Sequence, residues 1–303
     1  MRSLSSSAPH AGGTPHLYDS VSSPDVHRTE GVSPYSQPVA RSLEDAVFSD
    51  PIHGEAARFC LSRAGSLEGA AVADMGCGEG PVSVLMALAG ATVVGVDVAA
   101  DRLRKAAALA DACGVGDRCE FVHARAEQSA LPSAAFDAVF SKSALQYMDR
   151  GRALEEYVRL LAPGGRLLMV ENLARSPVVS AFRGLRKLKA RSPKQRAYVD
   201  SIRGYVTLAE LDSLASMFTT TERRTYHLLR TLTIGLHMGA NGQWLPRALD
   251  SAVASIDSRI FRALPGSEQL AWIVAVAYCG RKETSCARSC RSTSTLPTRP
   301  ARS

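Results

Sequence analysis

Three glycines at alternate positions, in Asp74-Met75-Gly76-Cys77-Gly78-Glu79-Gly80, constrain this chain more than any other stretch. A short apolar run, Ala70 to Ala73, leads into Asp74, and an apolar helical pattern from Val82 to Leu88 follows at once. That order predicts a strand, a tight turn and a helix N-terminus, where backbone N–H groups approach a ligand closely because glycine carries no Cβ. A second apolar run, Ala91 to Val96, ends in Asp97. An acid at the tip of the second strand, roughly 20 residues beyond the glycines, is where a nucleotide-binding βαβ unit holds ribose hydroxyls.

The alternation continues. Apolar residues at helical spacing between Val39 and Ala64 predict two helices, broken at Asp50-Pro51. After Thr92–Val96 come an alanine-rich helix over Asp101–Cys113, a third strand over Cys119–His123 and a fourth over Phe136–Ser141. A helix from Asp149 to Leu161 stops at Ala162-Pro163-Gly164-Gly165, and Arg166–Val170 follows as the fifth strand. Strands that alternate with helices imply a mostly parallel, doubly wound α/β sheet covered on both faces. The last third is less regular. Thr207-Leu208-Ala209-Glu210 reads as a capped helix start, Thr219–Leu229 as strand-like and Leu270–Tyr278 as a final buried strand.

Dinucleotide enzymes write the glycine turn as G-x-G-x-x-G, whereas this chain reads acid-x-G-x-G-x-G. In that spelling it resembles the first motif of class I S-adenosylmethionine-dependent methyltransferases, in their small-molecule branch. Leu161-Ala162-Pro163-Gly164-Gly165-Arg166-Leu167 resembles the L-x-P-G-G-x-L element before the fifth strand of that family. Phe136-Asp137-Ala138-Val139-Phe140-Ser141, followed by Tyr147, resembles its fourth-strand motif. The resemblance spans about residues 70 to 172. It implies a Rossmann-like, seven-stranded sheet with helical lid insertions, and S-adenosylmethionine as cofactor, with S-adenosylhomocysteine as its product. Carried over, Asp74, Gly76, Cys77 and Gly78 line the cofactor loop and Asp97 takes the ribose. The same resemblance assigns Tyr35, Val98, Arg102, Ser141, Lys142 and Gln146 to the cofactor. One departure stands out. Where the family often has an acid before Ala-Glu to bind adenine, this chain has Arg125-Ala126-Glu127. Arginine accepts no hydrogen bond, so adenine falls to the Ala126 backbone, to Glu127 or to stacking on Arg125.

Other candidates come from position and chemistry. Glu171 closes the fifth strand, and ligands of open α/β sheets sit beyond the carboxyl ends of the strands, so it is expected at the crevice as a catalytic base. Tyr147 and His53 are further acid–base candidates, and His227 and Trp244 are assigned to the substrate. The run Arg183, Arg186, Lys187, Lys189, Arg191, Lys194, Arg196 contains no acid. It reads as a solvated helical face or as an anion-binding lid in which Arg186 and Lys187 hold a substrate phosphate, diphosphate or carboxylate. The apolar positions from Ile234 to Leu264 build a helical cap, line an apolar pocket, or do both.

The formal charge of +7 does not by itself point to nucleic acid. The stretch from Arg281 onward carries a surplus of five positive charges, leaving about +2 elsewhere. DNA is not expected as a partner. RNA is disfavoured, since the basic run lacks interleaved aromatics and the fourth strand lacks the N-P-P-Y signature of enzymes acting on base or amide nitrogens. Seven scattered cysteines argue against a disulfide framework and for a reducing, cytoplasmic setting. No apolar run is long enough to span a bilayer.

The expected organisation is a disordered arm over 1–38, a methyltransferase domain over 39–280 with lid insertions at about 173–206 and 231–266, and a disordered basic tail over 281–303. A monomer or homodimer is expected. The activity implied is methyl transfer to a small, largely apolar metabolite in natural product biosynthesis. The alternatives are a prenyl-diphosphate C-methyltransferase with Glu171 as base and a non-catalytic subunit that binds the cofactor for a partner. No metal is required by the sequence, and Mg2+ enters only with a diphosphate substrate.

Overall fold

The computed structural model describes residues 40–177, 179–181, 184, 192–239 and 247–282. Helices α1 (Ala40–Phe48) and α2 (Gly54–Leu61) lead into β1 (Ala71–Met75), α3 (Pro81–Leu88), β2 (Thr92–Asp97), α4 (Ala100–Ala112) and β3 (Cys119–His123). Then come β4 (Phe136–Lys142), α5 (Arg150–Leu160), β5 (Leu161–Asn172), α6 (Pro193–Ser201), α7 (Leu208–Leu214) and β6 (Phe218–Tyr226). Helices α8 (Arg230–Gly239) and α9 (Arg247–Ala263) precede the last strand, β7 (Ile273–Arg281). The seven strands form one sheet in the order β3-β2-β1-β4-β5-β7-β6. Pairing is parallel from β3 through β5, and β7 runs antiparallel to both β5 and β6.

Period-two alternation sorts each central strand onto two apolar layers. Val72, Phe140, Leu168, Val170 and Ala275 face one layer, with Phe59 and Cys60 of α2 and Val84 of α3. Ala73, Val139, Leu167, Met169 and Val276 face the other, with Tyr157 and Leu160 of α5 and Leu211 of α7. Leu167 and Leu168 are fully buried, so truncating either to alanine costs about 2–5 kcal/mol. Local chemistry sets the helix starts. Pro81 opens α3 at a position with no N–H to satisfy, Asp149 caps α5, and Thr207 and Glu210 form a reciprocal capping box on α7.

The strand boundaries shift from the sequence expectation, and two of the shifts follow from pairing. β5 begins at Leu161 because Leu161 pairs with Phe136 before the Pro163-Gly164-Gly165 turn, and pairing resumes at Arg166 opposite Ala138. β7 begins at Ile273 and runs on to Arg281, held by Phe218 opposite Arg281. Lys282 donates from Nζ to the Ser216 carbonyl. Arg281 and Lys282 therefore belong to the sheet end and not to a tail.

Candidate functional site

Strand order reverses between β1 and β4, and the crevice outside the carboxyl ends of these strands is the natural ligand position in such a sheet. Three segments meet there. The first is the glycine turn. Gly76 has φ +79°, and a Cβ added to it would lie 2.5 Å from the Ala144 Cβ, so the turn closes against the loop after β4 only without a side chain. The N–H groups of Gly76 and Cys77 both donate to the Val96 carbonyl, at 2.7 and 3.1 Å. Asp97 is buried and accepts the Gly78 N–H at 2.9 Å through Oδ2 and the Ala99 N–H at 2.9 Å through Oδ1. The Arg102 guanidinium packs over Gly78. Asp74, also buried, accepts from the Ser83 hydroxyl at 2.5 Å; burial pushes its pKa up to about 6, against the lowering effect of that bond. Burial, together with Asp74 and Asp97, holds the Cys77 thiol well above its ordinary pKa, which leaves it unreactive.

The second segment follows β4. Ser141 is fully buried on the α5 side, where its hydroxyl donates to Glu171 Oε1 at 3.2 Å and lies 3.4 Å from the Tyr157 hydroxyl. Glu171 Oε1 also accepts the N–H groups of Ala144 and Leu145, at 3.3 and 3.4 Å. Glu171 shares the parity of Leu167 and Met169 on β5, so it projects beneath the loop toward α5 and is 1% exposed. Its burial pushes the pKa up to about 7, and the three donors only partly oppose that. Lys142 and Tyr147 are half-buried at the crevice edge. Gln146 is buried and accepts from Asn172 Nδ2 at 3.3 Å.

The third segment is the turn between α1 and α2. Asp50 Oδ1 accepts the N–H groups of Ile52 and His53. Its Oδ2 lies 3.4 Å from His53 Nδ1, and His53 Nε2 lies 2.8 Å from the Ser143 hydroxyl. A carboxylate can only accept, so Nδ1 carries the proton and neutral His53 accepts from Ser143 at Nε2. Burial lowers the His53 pKa and Lys142 adds to this, while the Asp50 bond opposes it. Burial alone would raise the Asp50 pKa, but His53, Lys142 and the Ile52 N–H together hold it well below the usual carboxylate range. Asn172 Nδ2 donates to Ser143 Oγ at 3.3 Å, and Asn172 is itself held by Trp272 Nε1 at 2.8 Å. Behind this group His227 Nε2 donates to the Ile52 carbonyl at 2.8 Å. Its Nδ1 is buried without a partner, and burial lowers the pKa to about 4.

The structure thus brings Asp74, Gly76, Cys77, Gly78, Asp97, Val98 and Arg102 together at the first strands, and Ser141, Lys142, Gln146, Tyr147 and His53 at the fourth. Arg125, Ala126 and Glu127 lie after β3, where Arg125 Nη2 donates to Glu127 Oε1 at 2.7 Å and the same oxygen accepts the Asp149 N–H. Tyr35, Arg186, Lys187 and Trp244 lie outside the described residues. The apolar positions expected to build a cap or line a pocket divide. Ile234 is buried, whereas Leu249, Ile256 and Leu264 face outward at 46–58% exposure. Asp50, Ser143 and Asn172 had no assigned role in the sequence. Asp-x-x-His was the available signal for Asp50, but Ser143 is 90 positions from its histidine partner and carried none. A cavity of about 400 Å3 lined by Gly65, Glu68, Asp137 and Gly164 lies at the opposite, amino-terminal end of the strands. It takes no part in this crevice.

The residues fit S-adenosylmethionine. The turn passes through three glycines at positive φ, Gly76, Gly78 and Gly80, and Asp97 stands at the β2 tip, where its carbonyl accepts the Ala124 N–H at the start of the segment that holds the buried Ala126. Among the described residues no group of three or more His, Cys, Asp or Glu side chains gathers to hold a metal ion, and no helix is long and apolar enough to cross a membrane.

This strand order, with one reversed strand, a glycine turn after β1 and an acid ending β2, is that of the class I S-adenosylmethionine-dependent methyltransferase fold. Residues 73–169 match the family model described as a methyltransferase domain. The chain is 35% identical over 144 residues to ubiquinone/menaquinone biosynthesis C-methyltransferase UbiE of Hahella chejuensis, covering 46% of this chain and 57% of that one. It is 35% identical over 98 residues to 27-O-demethylrifamycin SV methyltransferase of Amycolatopsis mediterranei, covering 32% and 36%. The matches thus span about a third to somewhat over half the length of these relatives. Geranyl diphosphate C-methyltransferase from Streptomyces coelicolor superposes with a TM-score of 0.55 at 16% identity, over 90% of this chain and all of that one, a likeness of fold.

Proposed function

We propose that this protein transfers the methyl group of S-adenosylmethionine to a small, largely apolar metabolite in natural product biosynthesis. The observation that carries the reading is the buried Asp97 carboxylate bonded across to Gly78 at the switch point of the sheet, within the stretch that matches the methyltransferase domain. The Gly76–Gly78 backbone would hold the methionine part, Asp97 the ribose, and the Ala126 backbone the adenine. When bound, the cofactor supplies a methyl group already activated on a sulfonium. The protein's share is then to align the acceptor, exclude water and take up a proton. That one relative is named for ubiquinone/menaquinone biosynthesis and another for 27-O-demethylrifamycin SV supports a small-molecule acceptor.

Titration calorimetry with S-adenosylmethionine and S-adenosylhomocysteine tests the cofactor assignment. Methyl transfer from labelled cofactor to phenols, amines and prenyl diphosphates tests the activity. Binding without transfer to any acceptor favours the non-catalytic subunit. The prenyl-diphosphate reading rests on Arg186 and Lys187, outside the described residues, and on Glu171 as base, whose carboxylate is buried and held by Ser141, Ala144 and Leu145.

A further inference from the structure

We infer that Asp50, His53 and Ser143 form a proton relay that takes a hydroxyl proton from the methyl acceptor, so that this enzyme methylates oxygen. The inference rests on the methyltransferase reading and adds to it the acceptor atom.

Four observations converge on Ser143. It is the first residue past β4, at the carboxyl end of a strand flanking the switch point, and its neighbour Ala144 touches the glycine turn. It has φ +53°, a left-handed conformation that costs a residue with a Cβ about 1–2 kcal/mol, and its N–H is locked to the Val170 carbonyl at 2.8 Å. Strain of this kind persists where surrounding structure imposes it. Its hydroxyl is bracketed by an acceptor, His53 Nε2 at 2.8 Å, and a donor, Asn172 Nδ2 at 3.3 Å. It is half-buried, as are His53 and Asp50, so the group borders solvent instead of lying in the core.

The bonds set the direction of proton flow. Ser143 donates to His53, leaving an oxygen lone pair for an incoming O–H. His53 donates at Nδ1 to Asp50, which stands ready to stabilise an imidazolium. In the transfer the acceptor oxygen forms its bond to the methyl carbon as the carbon–sulfur bond breaks, with that electron pair left on sulfur. The acceptor's proton passes to Ser143 Oγ, and the Ser143 proton passes to His53 Nε2. Asp50 never touches the acceptor. It is a positioning residue that fixes the tautomer. The charged and titratable groups facing His53 are Asp50 and Lys142, with His227, Arg230 and Glu55 one layer away. Asp50 favours the imidazolium and Lys142 opposes it.

The test has three arms, all on the full chain. First, calorimetry with S-adenosylmethionine should give the same Kd within about twofold for wild type, His53→Gln and Ser143→Gly. The glycine suits the positive φ, which keeps the fold intact. Loss of cofactor binding by the wild type would remove the methyltransferase reading itself. Second, labelled methyl transfer is measured on a series of phenols of graded acidity and the matching anilines. The relay predicts transfer to phenols, with His53→Gln lowering kcat by about 100- to 1,000-fold on the least acidic phenol. The loss should shrink to less than about tenfold on 4-nitrophenol, which ionises without help. An equal loss across the series, or transfer to anilines alone, overturns the proposal. Third, nitrogen-15 spectra of the histidine rings need no acceptor. His53 should be neutral at pH 7 with its proton on Nδ1, and Asp50→Asn should disturb that tautomer. A wild-type His53 that is protonated on Nε2 at pH 7 overturns it.

Discussion

Asp97 Oδ2 accepts the Gly78 N–H at 2.9 Å while Oδ1 of the same carboxylate accepts the Ala99 N–H at 2.9 Å, so one buried acid ties the β1–α3 turn to the β2–α4 turn. Charge-assisted bonds of this kind contribute about 1.5–3 kcal/mol. Their geometry fixes the conformation of the turn through contacts within the protein alone.

Removing that carboxylate should show in the fold as well as in binding. Asp97→Ala is expected to lower the unfolding free energy by about 1–3 kcal/mol, read as a fall in the urea midpoint with an unchanged m-value. A midpoint within error of wild type would mean the two bonds contribute nothing.

Gly76 offers a paired test. Gly76→Ala puts a methyl where the Ala144 Cβ sits and strains a φ of +79°, at an expected cost of about 1–3 kcal/mol. Ala144→Gly should return part of that loss in the double variant, because it removes the clash and leaves the backbone strain. Additive effects in the cycle would show that the two loops are not in contact.

Glu171 predicts a pH dependence. Folded Glu171 keeps its proton up to about pH 7, against an ordinary value of 4.5. Between those values the native state holds more protons than the unfolded chain, so stability falls as pH rises through the window and stays lower above it. At 1.36 kcal/mol per unit the effect is about 3 kcal/mol. Glu171→Gln retains a carbonyl acceptor for Ser141, Ala144 and Leu145 and cannot ionise. It should match the wild type at pH 4.5 and exceed its stability at pH 8. If the variant and wild type lose stability in parallel across this range, the buried acid is not the source.

Asp257, buried on α9, accepts the N–H groups of Leu228, Leu229 and Arg230 at 2.8–3.1 Å and so caps the start of α8. Asp257→Ala should cost about 1–2 kcal/mol locally. Hydrogen exchange should speed up in the amides of α8 while β4 and β5 stay protected. Uniform acceleration through the sheet would contradict a local role.

The central sheet was legible because each of its elements carries its own punctuation. Asp74–Gly80, Asp97, Asp149 and Pro163-Gly164-Gly165 each mark a strand or helix end within a few residues, and those ends fall within a few residues of the expected positions. Where boundaries moved, at Leu161 and Arg281, the cause was pairing with a distant strand, which no local pattern encodes. The site divides in the same way. The cofactor side is written in contiguous motifs. The Asp50–His53–Ser143 group is assembled from segments 90 positions apart, and the inward direction of Glu171 follows from strand parity set by the sheet rather than from its place at a strand end. Of the substrate candidates Arg186, Lys187, His227 and Trp244, only His227 lies among the described residues, and it stands behind the Asp50–His53–Ser143 group.

The most direct measurement is calorimetric titration of the full chain with S-adenosylmethionine, beside Asp97→Ala under the same conditions. Saturable one-to-one binding by the wild type, weakened at least tenfold in the variant, is the result predicted, a tenfold change being about 1.4 kcal/mol. No detectable binding by a folded wild-type chain, or equal affinity in the variant, would contradict the assignment of this crevice to the cofactor.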